Sequence, residues 1–154
     1  MTEDKPKLMR LLDANLNRTR EAFRAVEDAF RFIHDDAEAQ ARLKRMRHSL
    51  LRYESLVDPE GTELLTHRAS AEDVGAFVNP ASEMEKPDVP SIVRANLRRA
   101  QEALRCLEEY GKLIDRQAAG IAKRLRFETY EFEKEYGLSG DSEVEGDMGV
   151  DAND

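Results

Sequence analysis

The chain has 154 residues, 36% of them charged and 6% aromatic, with no Trp and a formal charge of −8. That length suits one domain around one core, and the scarcity of aromatic and β-branched runs excludes a strand-rich fold. No apolar run approaches the roughly 18 residues of a membrane span, and the opening MTEDKPKLMR lacks the apolar stretch of a signal peptide.

A lone Cys106 builds no disulfide framework, so a cytoplasmic setting is expected. It reads as a semi-buried helix residue rather than a nucleophile, because no His motif accompanies it. Residues 139–154, SGDSEVEGDMGVDAND, hold six acids and no base. Such a segment buries too little apolar area to fold, so 138–154 is expected to be a disordered acidic tail. The overall charge also argues against nucleic-acid binding.

In chain order, a first helix is expected from Pro6 to about His34, with Leu8, Leu12, Leu16, Phe23, Val26, Phe30 and Ile33 at helical spacing. His34-Asp35-Asp36 breaks it. A second helix is expected from about Asp36 to Leu56, through Leu43, Met46, Leu50 and Leu51. Asp58-Pro59-Glu60-Gly61 reads as a turn. A long connection follows, with Gly75, Pro80, Pro87 and Pro90, and loops this long are usually functional. A third helix is expected from Ser91, as N-cap, to about Leu113, and a fourth from about Ile121 to Tyr136 after a break at Gln117 to Gly120.

Residues 14–28 read ANLNRTREAFRAVED and residues 95–109 read ANLRRAQEALRCLEE, an offset of 81 without a gap. Lys44-Arg45-Met46-Arg47-His48 matches Lys123-Arg124-Leu125-Arg126-Phe127 at an offset of 79. The pattern predicts an all-α fold: a four-helix bundle of two duplicated helical hairpins, about 6–57 and 91–137, joined by the central loop 58–90.

The repeat also nominates residues for chemistry. Asn15 and Asn96 fall on the apolar stripes of their helices. Two readings stand: core amides bonded to each other or to a backbone carbonyl, or a polar pocket between the hairpins that uses both amides on a ligand. Arg18 and Glu21, Arg99 and Glu102, and Arg24 and Asp28 have the spacing of helical ion pairs on a solvated face. Against a purely solvated role stands their recurrence, since Arg18, Glu21, Arg24 and Glu27 return as Arg99, Glu102, Arg105 and Glu108. Arg42, Lys44, Arg45, Arg47 and His48 form a basic cluster, either an anion site or a face balancing acidic helices. His48 alone reads as a packed or capping residue. Phosphate-loop, dinucleotide, di-iron and zinc signatures are absent.

In order, DANLNRTREAFRAVEDAFRF, KRMRHSL, HRASAEDVG, ANLRRAQEALRCLEEYGKL and RLRFETYEFEK resemble the small monofunctional hydroxymethylpyrimidine phosphate kinases of thiamine biosynthesis. That domain is often fused ahead of thiamine-phosphate synthase. The resemblance covers about residues 8–136. It implies ATP-dependent phosphorylation of 4-amino-5-hydroxymethyl-2-methylpyrimidine phosphate to the diphosphate, with Mg²⁺. The positions it carries over are Asn15, Arg18, Glu21, Arg24, Arg47 and His48 in the first half and Asn96, Arg99, Glu102 and Arg105 in the second. It implies that the arginines hold phosphates, a Glu or Asp holds Mg²⁺ through water, and the asparagines orient the pyrimidine.

The family loop is close to Arg-Asp-Thr-x-x-Asp-Val-Gly, and here reads Arg68-Ala69-Ser70-Ala71-Glu72-Asp73-Val74-Gly75. Arg68, Asp73 and Gly75 are kept, and Gly75 would let backbone approach a phosphate. Ala69 has lost a carboxylate, and Lys86 replaces an Arg fork with a point charge. The resemblance implies catalytic roles for Arg68, Asp73, Glu21 and Glu102; it names no metal ligand. The implied partners are the pyrimidine phosphate, ATP and a thiamine-phosphate synthase, with room for a homodimer and no nucleic acid or membrane. Ala69 motivates an alternative, a silent binder of the same fold; a third reading is a structural helical dimerisation module.

Overall fold

A computed structural model describes residues 4–75 and 88–137. The described residues are all-α, with no strand. Helix α1 spans Lys5–Asp28 and runs into a π-helical turn, Ala29–Ile33. Then come α2 (Ala37–Val57), the short α3 (Glu63–Thr66), a 3₁₀ turn (Ser70–Glu72), α4 (Val89–Gly111) and α5 (Arg116–Glu135). The acidic tail, Lys86 and Pro80 lie outside the described residues.

Three aspartates start three helices. Asp36 Oδ1 accepts the Ala39 N–H at 2.9 Å, Asp88 Oδ1 accepts the Ser91 N–H at 2.8 Å, and Asp115 Oδ1 accepts the Ala118 N–H at 2.9 Å. Each satisfies a donor that the first helical turn leaves without a partner. Two expectations are corrected here. Ser91 is not the cap of α4, because Asp88 caps it and Pro90, which lacks an N–H, fits the first turn. Gln117–Gly120 is not a break but the first turn of α5, where the Asp115 cap outweighs the weak propensity of Gly120.

Helices α1, α4, α5 and α2 form a closed ring, each packed on two neighbours. Tyr53 near the end of α2 meets Leu107 near the end of α4. At the other end, Phe30 meets Phe132, and Arg42 pairs with Glu135. Adjacent helices are therefore antiparallel, and α2 and α4 run the same way. Helices of about twenty residues at about 1.5 Å per residue are about 30 Å long. The chain must recross that length between α2 and α4, which explains the long central connection.

Met9, Leu12, Leu16, Phe23, Leu43, Met46, Leu50, Tyr53, Leu97, Leu104, Leu107 and Phe132 are fully buried. Two stripe residues are not. Ile33 is exposed, because the π turn packs more residues per turn and rotates it off the apolar face. Leu51 is exposed beside α3.

The halves make matching contacts at the repeat offsets. Glu27 pairs with Arg47 at 3.0 Å, and Glu108 with Arg126 at 2.8 Å. Asp36 and Asp115 are matching caps. Between the halves, Phe30 against Phe132 at one end of the bundle corresponds to Gly111 against Tyr53 at the other.

Candidate functional site

The segment after α2 folds back on α1. Asp58 anchors it: Oδ1 accepts the N–H groups of Gly61, Thr62 and Glu63 at 3.2 Å each, and Oδ2 that of Leu64 at 3.1 Å. Burial works against this charge, but the four donors outweigh it and hold the carboxyl below its ordinary value. Gly61 takes φ +78°, a conformation that side chains with a Cβ rarely adopt.

So positioned, Arg68 reaches α1. Its Nε donates to Asp13 Oδ2 at 2.8 Å and its Nη2 to Asp13 Oδ1 at 2.7 Å. Asp13 is buried, and the paired carboxylate raises the Arg68 pKa further. Nη1 has no partner among the described residues. Arg10 Nη2 donates to the Ala69 carbonyl at 3.4 Å. Around this clasp lies a cavity of about 130 Å³, lined by Arg10, Asp13, Ala14, Asn17, Arg68, Ala69 and Asp73. A larger cavity of about 480 Å³ on the other side, between α2 and α3, shares Asp13 and Arg68. Two guanidinium groups and two carboxylates thus meet round one small space. Cations of this kind suit phosphate oxygens, and a carboxylate suits a hard metal ion.

Of the residues nominated from sequence, Arg68 and Asp73 share this cavity. Asp73 Oδ1 accepts the Gly75 N–H at 2.9 Å. A Cβ on Gly75 would meet only Asp73 Oδ1, at an ordinary 3.7 Å, so nothing in the structure requires glycine there. None of the repeated residues nominated for chemistry lines the cavity. Asn15 is buried and donates to the Leu11 carbonyl at 3.0 Å; Asn96 is half-buried and donates to the Ile92 carbonyl at 2.9 Å. Each amide thus serves its own helix.

Arg18, Glu21, Arg24, His48, Arg99, Glu102 and Arg105 are exposed. The pairs Arg18–Glu21, Arg99–Glu102 and Arg24–Asp28 do not form among the described residues. Arg18 instead donates to Asn15 Oδ1 at 3.4 Å, and Arg105 pairs with Glu109 at 3.2 Å. Arg47 is committed to Glu27 through Nε and Nη2. Burial works against the Glu27 charge, but Arg47 and the Gln40 amide outweigh it, helped by Arg24, and its pKa falls.

Sequence reasoning missed Asp13, Arg10, Asn17 and the Asp58 anchor. Arg10, Asp13 and Asn17 do have the spacing of one helix face. At an offset of 81 their counterparts are Ser91, Arg94 and Arg98, so a search for repeated residues passes over them. Among the described residues, no group of three or more His, Cys, Asp or Glu side chains is placed to hold a metal ion. No described helix is long and apolar enough to cross a membrane.

The sequence profile of the ThiD2 family matches residues 10–135. The chain belongs to the ThiD2 family. A thiamine-phosphate synthase of Thermosynechococcus vestitus is 39% identical to it over 128 residues, covering 83% of this chain and 35% of the relative. The thiamine-phosphate synthase of Synechocystis sp. is 38% identical over 138 residues, 90% of this chain and 38% of the relative. That of Rhodopirellula baltica is 39% identical over 123 residues, 80% of this chain and 32% of the relative. The chain thus spans about a third of the length of the curated relatives it matches. No solved structure matches it significantly. The ThiD2 match begins at Arg10, so the Arg10–Asp13–Arg68–Asp73 cluster falls wholly within the family region.

Proposed function

We propose that this ThiD2 chain acts in thiamine biosynthesis, as a kinase that uses ATP to convert 4-amino-5-hydroxymethyl-2-methylpyrimidine phosphate to its diphosphate. The observation that carries the reading is the Arg68–Gly75 loop docked on α1, with Arg10, Asp13, Arg68 and Asp73 round one cavity. Phosphoryl transfer requires aligned phosphates and fixed positive charge more than covalent help. Asp13 fixes Arg68 through two nitrogens and leaves Nη1 for a phosphate oxygen. Arg10 is the second phosphate cation.

The donor set fits Mg²⁺, which commonly uses one or two carboxylates together with substrate phosphates. Asp73 would hold it, since Asp13 is engaged by Arg68. When bound, the ion neutralises charge on the phosphates. Glu21, Glu102 and the exposed arginines Arg18, Arg24, Arg99 and Arg105 line neither cavity beside Arg68 and would serve substrate capture from the surface. A thiamine-phosphate synthase is the proposed partner, because the relatives that carry that name are about three times as long as the matched region.

The test is direct: full chain, ATP, Mg²⁺ and the pyrimidine monophosphate, with diphosphate detected by mass. Product well above a no-enzyme control supports the kinase. Ala69 favours a second reading, a binder without turnover, because the family loop has a carboxylate there and this chain has a methyl group. Monophosphate binding without product supports that reading.

A further inference from the structure

At one of the places where the matching halves differ, the difference lies beside a cavity. In the first half, the Gln40 amide donates to Glu27 Oε1 at 3.0 Å and so bridges α1 and α2. At the offset of 79, Gln40 becomes Ala119 and Ala41 becomes Gly120. Glu27 becomes Glu108. Among the described residues, no side-chain amide reaches Glu108. Arg126 donates both Nε and Nη2 to its Oε1, and Oε2 has no hydrogen bond among the described residues. Between α4 and α5 there is instead a cavity of about 590 Å³, bordered by Glu108, Ala119 and Gly120. A Cβ on Gly120 would meet nothing within 4 Å.

The volume falls within the range of small-molecule sites. Its walls divide by chemistry. Leu113, Ala119 and Gly120 make an apolar side. Lys112, Arg116 and Lys123 bring three positive charges, of which Lys112 also reaches Glu109 at 3.2 Å. Glu108 is a buried acceptor at the edge.

We propose that the α4–α5 cavity is a second ligand site, for the phosphate ester of a flat, amino-bearing heterocycle. The cations take the phosphate, the apolar side takes the ring, and Glu108 Oε2 accepts an amino N–H. Both ATP and an aminopyrimidine phosphate have this chemistry. The choice of these probes rests on the proposed function; the site itself does not.

Calorimetry on the full chain tests it, with ATP, the pyrimidine monophosphate and inorganic phosphate titrated separately and without turnover. The variant A119Q/G120A restores the two residues that the first half already carries, so its fold and melting point should match wild type. At least one ester should bind wild type ten times more tightly than inorganic phosphate. The filled variant should lose one bound ester per chain, or raise its Kd tenfold or more. Loss of ATP alone assigns the site to the nucleotide, and loss of the monophosphate alone assigns it to the pyrimidine. Lys123→Ala should weaken the same ester by at least threefold, and it carries the test if the filled variant does not fold. The proposal is overturned if wild type binds neither ester, if inorganic phosphate binds as well as both, or if the variants bind like wild type. Absent turnover with ester binding intact would sink the kinase and leave this site standing.

Discussion

Arg68 grips Asp13 through two parallel hydrogen bonds, 2.8 Å and 2.7 Å, across 55 residues of sequence. A guanidinium fork held in this way cannot turn away from its cavity, and only arginine has the planar geometry to do it. Arg68→Lys keeps the charge and loses the fork. Turnover of the pyrimidine phosphate should therefore fall at least tenfold in Arg68→Lys, and at least a hundredfold in Arg68→Ala and Asp13→Asn. Because Arg68 is partly in solvent, the stability lost should be small, about 1–2 kcal/mol. Rates read beside thermal melts separate the two effects. Near-normal turnover in Arg68→Ala would remove the loop from the mechanism.

Ala69 shares the small cavity with Asp13 and Asp73. Ala69→Asp would add a third carboxylate to a space that holds two. With Asp13 engaged by Arg68, the new carboxylate would join Asp73 as a second donor beside the substrate phosphates, the set that Mg²⁺ commonly uses. The rate measured against Mg²⁺ concentration should then half-saturate at a several-fold lower concentration in Ala69→Asp. An unchanged magnesium profile would show that the missing carboxylate has no metal role.

How much of this was legible in sequence follows the period of each signal. The four long helices follow from apolar spacing, and the repeat offsets bring out Glu27, Glu108, Arg47 and Arg126, whose ion pairs match across the halves. Ile33 departs because a π turn changes the residue count per turn, which a 3.6-residue pattern does not contain. Ser91 departs because an aspartate three residues earlier competes for the same cap. The Asp13–Arg68 clasp has no counterpart in the second half and joins residues far apart, so neither periodicity nor repetition points to it. Family resemblance found the loop half of the clasp, and only the fold supplied the helix half.

Acid should loosen the chain through Glu27 and Asp58. Both carboxyls titrate below their ordinary values of 4.5 and 3.8 when folded. Their contribution is complete above those values and is lost as pH falls through the lower, folded ones. Melting temperature should therefore be flat from neutral pH down to about pH 5 and fall below about pH 4. Asp58→Asn keeps one acceptor oxygen but no charge, so it should cost about 1–2 kcal/mol at neutral pH and flatten the acid limb. An acid limb as steep as wild type in Asp58→Asn would assign the loss to other groups.

Gly111 and Tyr53 fit closely, and the contact answers to a double substitution. The Tyr53 hydroxyl donates to the Leu107 carbonyl at 2.7 Å, lying against the bare Cα of Gly111. Burial, with the Asp115 charge adding to it, pushes the phenol pKa well up, so it stays a donor at any working pH. A Cβ on Gly111 would lie within 3.0 Å of the hydroxyl oxygen and 3.3 Å from the ring carbon that bears it. Gly111→Ala should therefore cost about 2–3 kcal/mol even though alanine favours helix. Tyr53→Phe alone should cost about 1 kcal/mol, the net worth of its hydrogen bond. In Gly111→Ala with Tyr53→Phe the hydroxyl that clashes is gone and only the 3.3 Å ring contact remains. The two losses should then fall short of their sum by at least 1 kcal/mol, read from denaturant melts of the four proteins in the cycle. Strict additivity would mean that the helices shift apart to admit the methyl group, and that the contact between α2 and α4 is looser than its geometry implies.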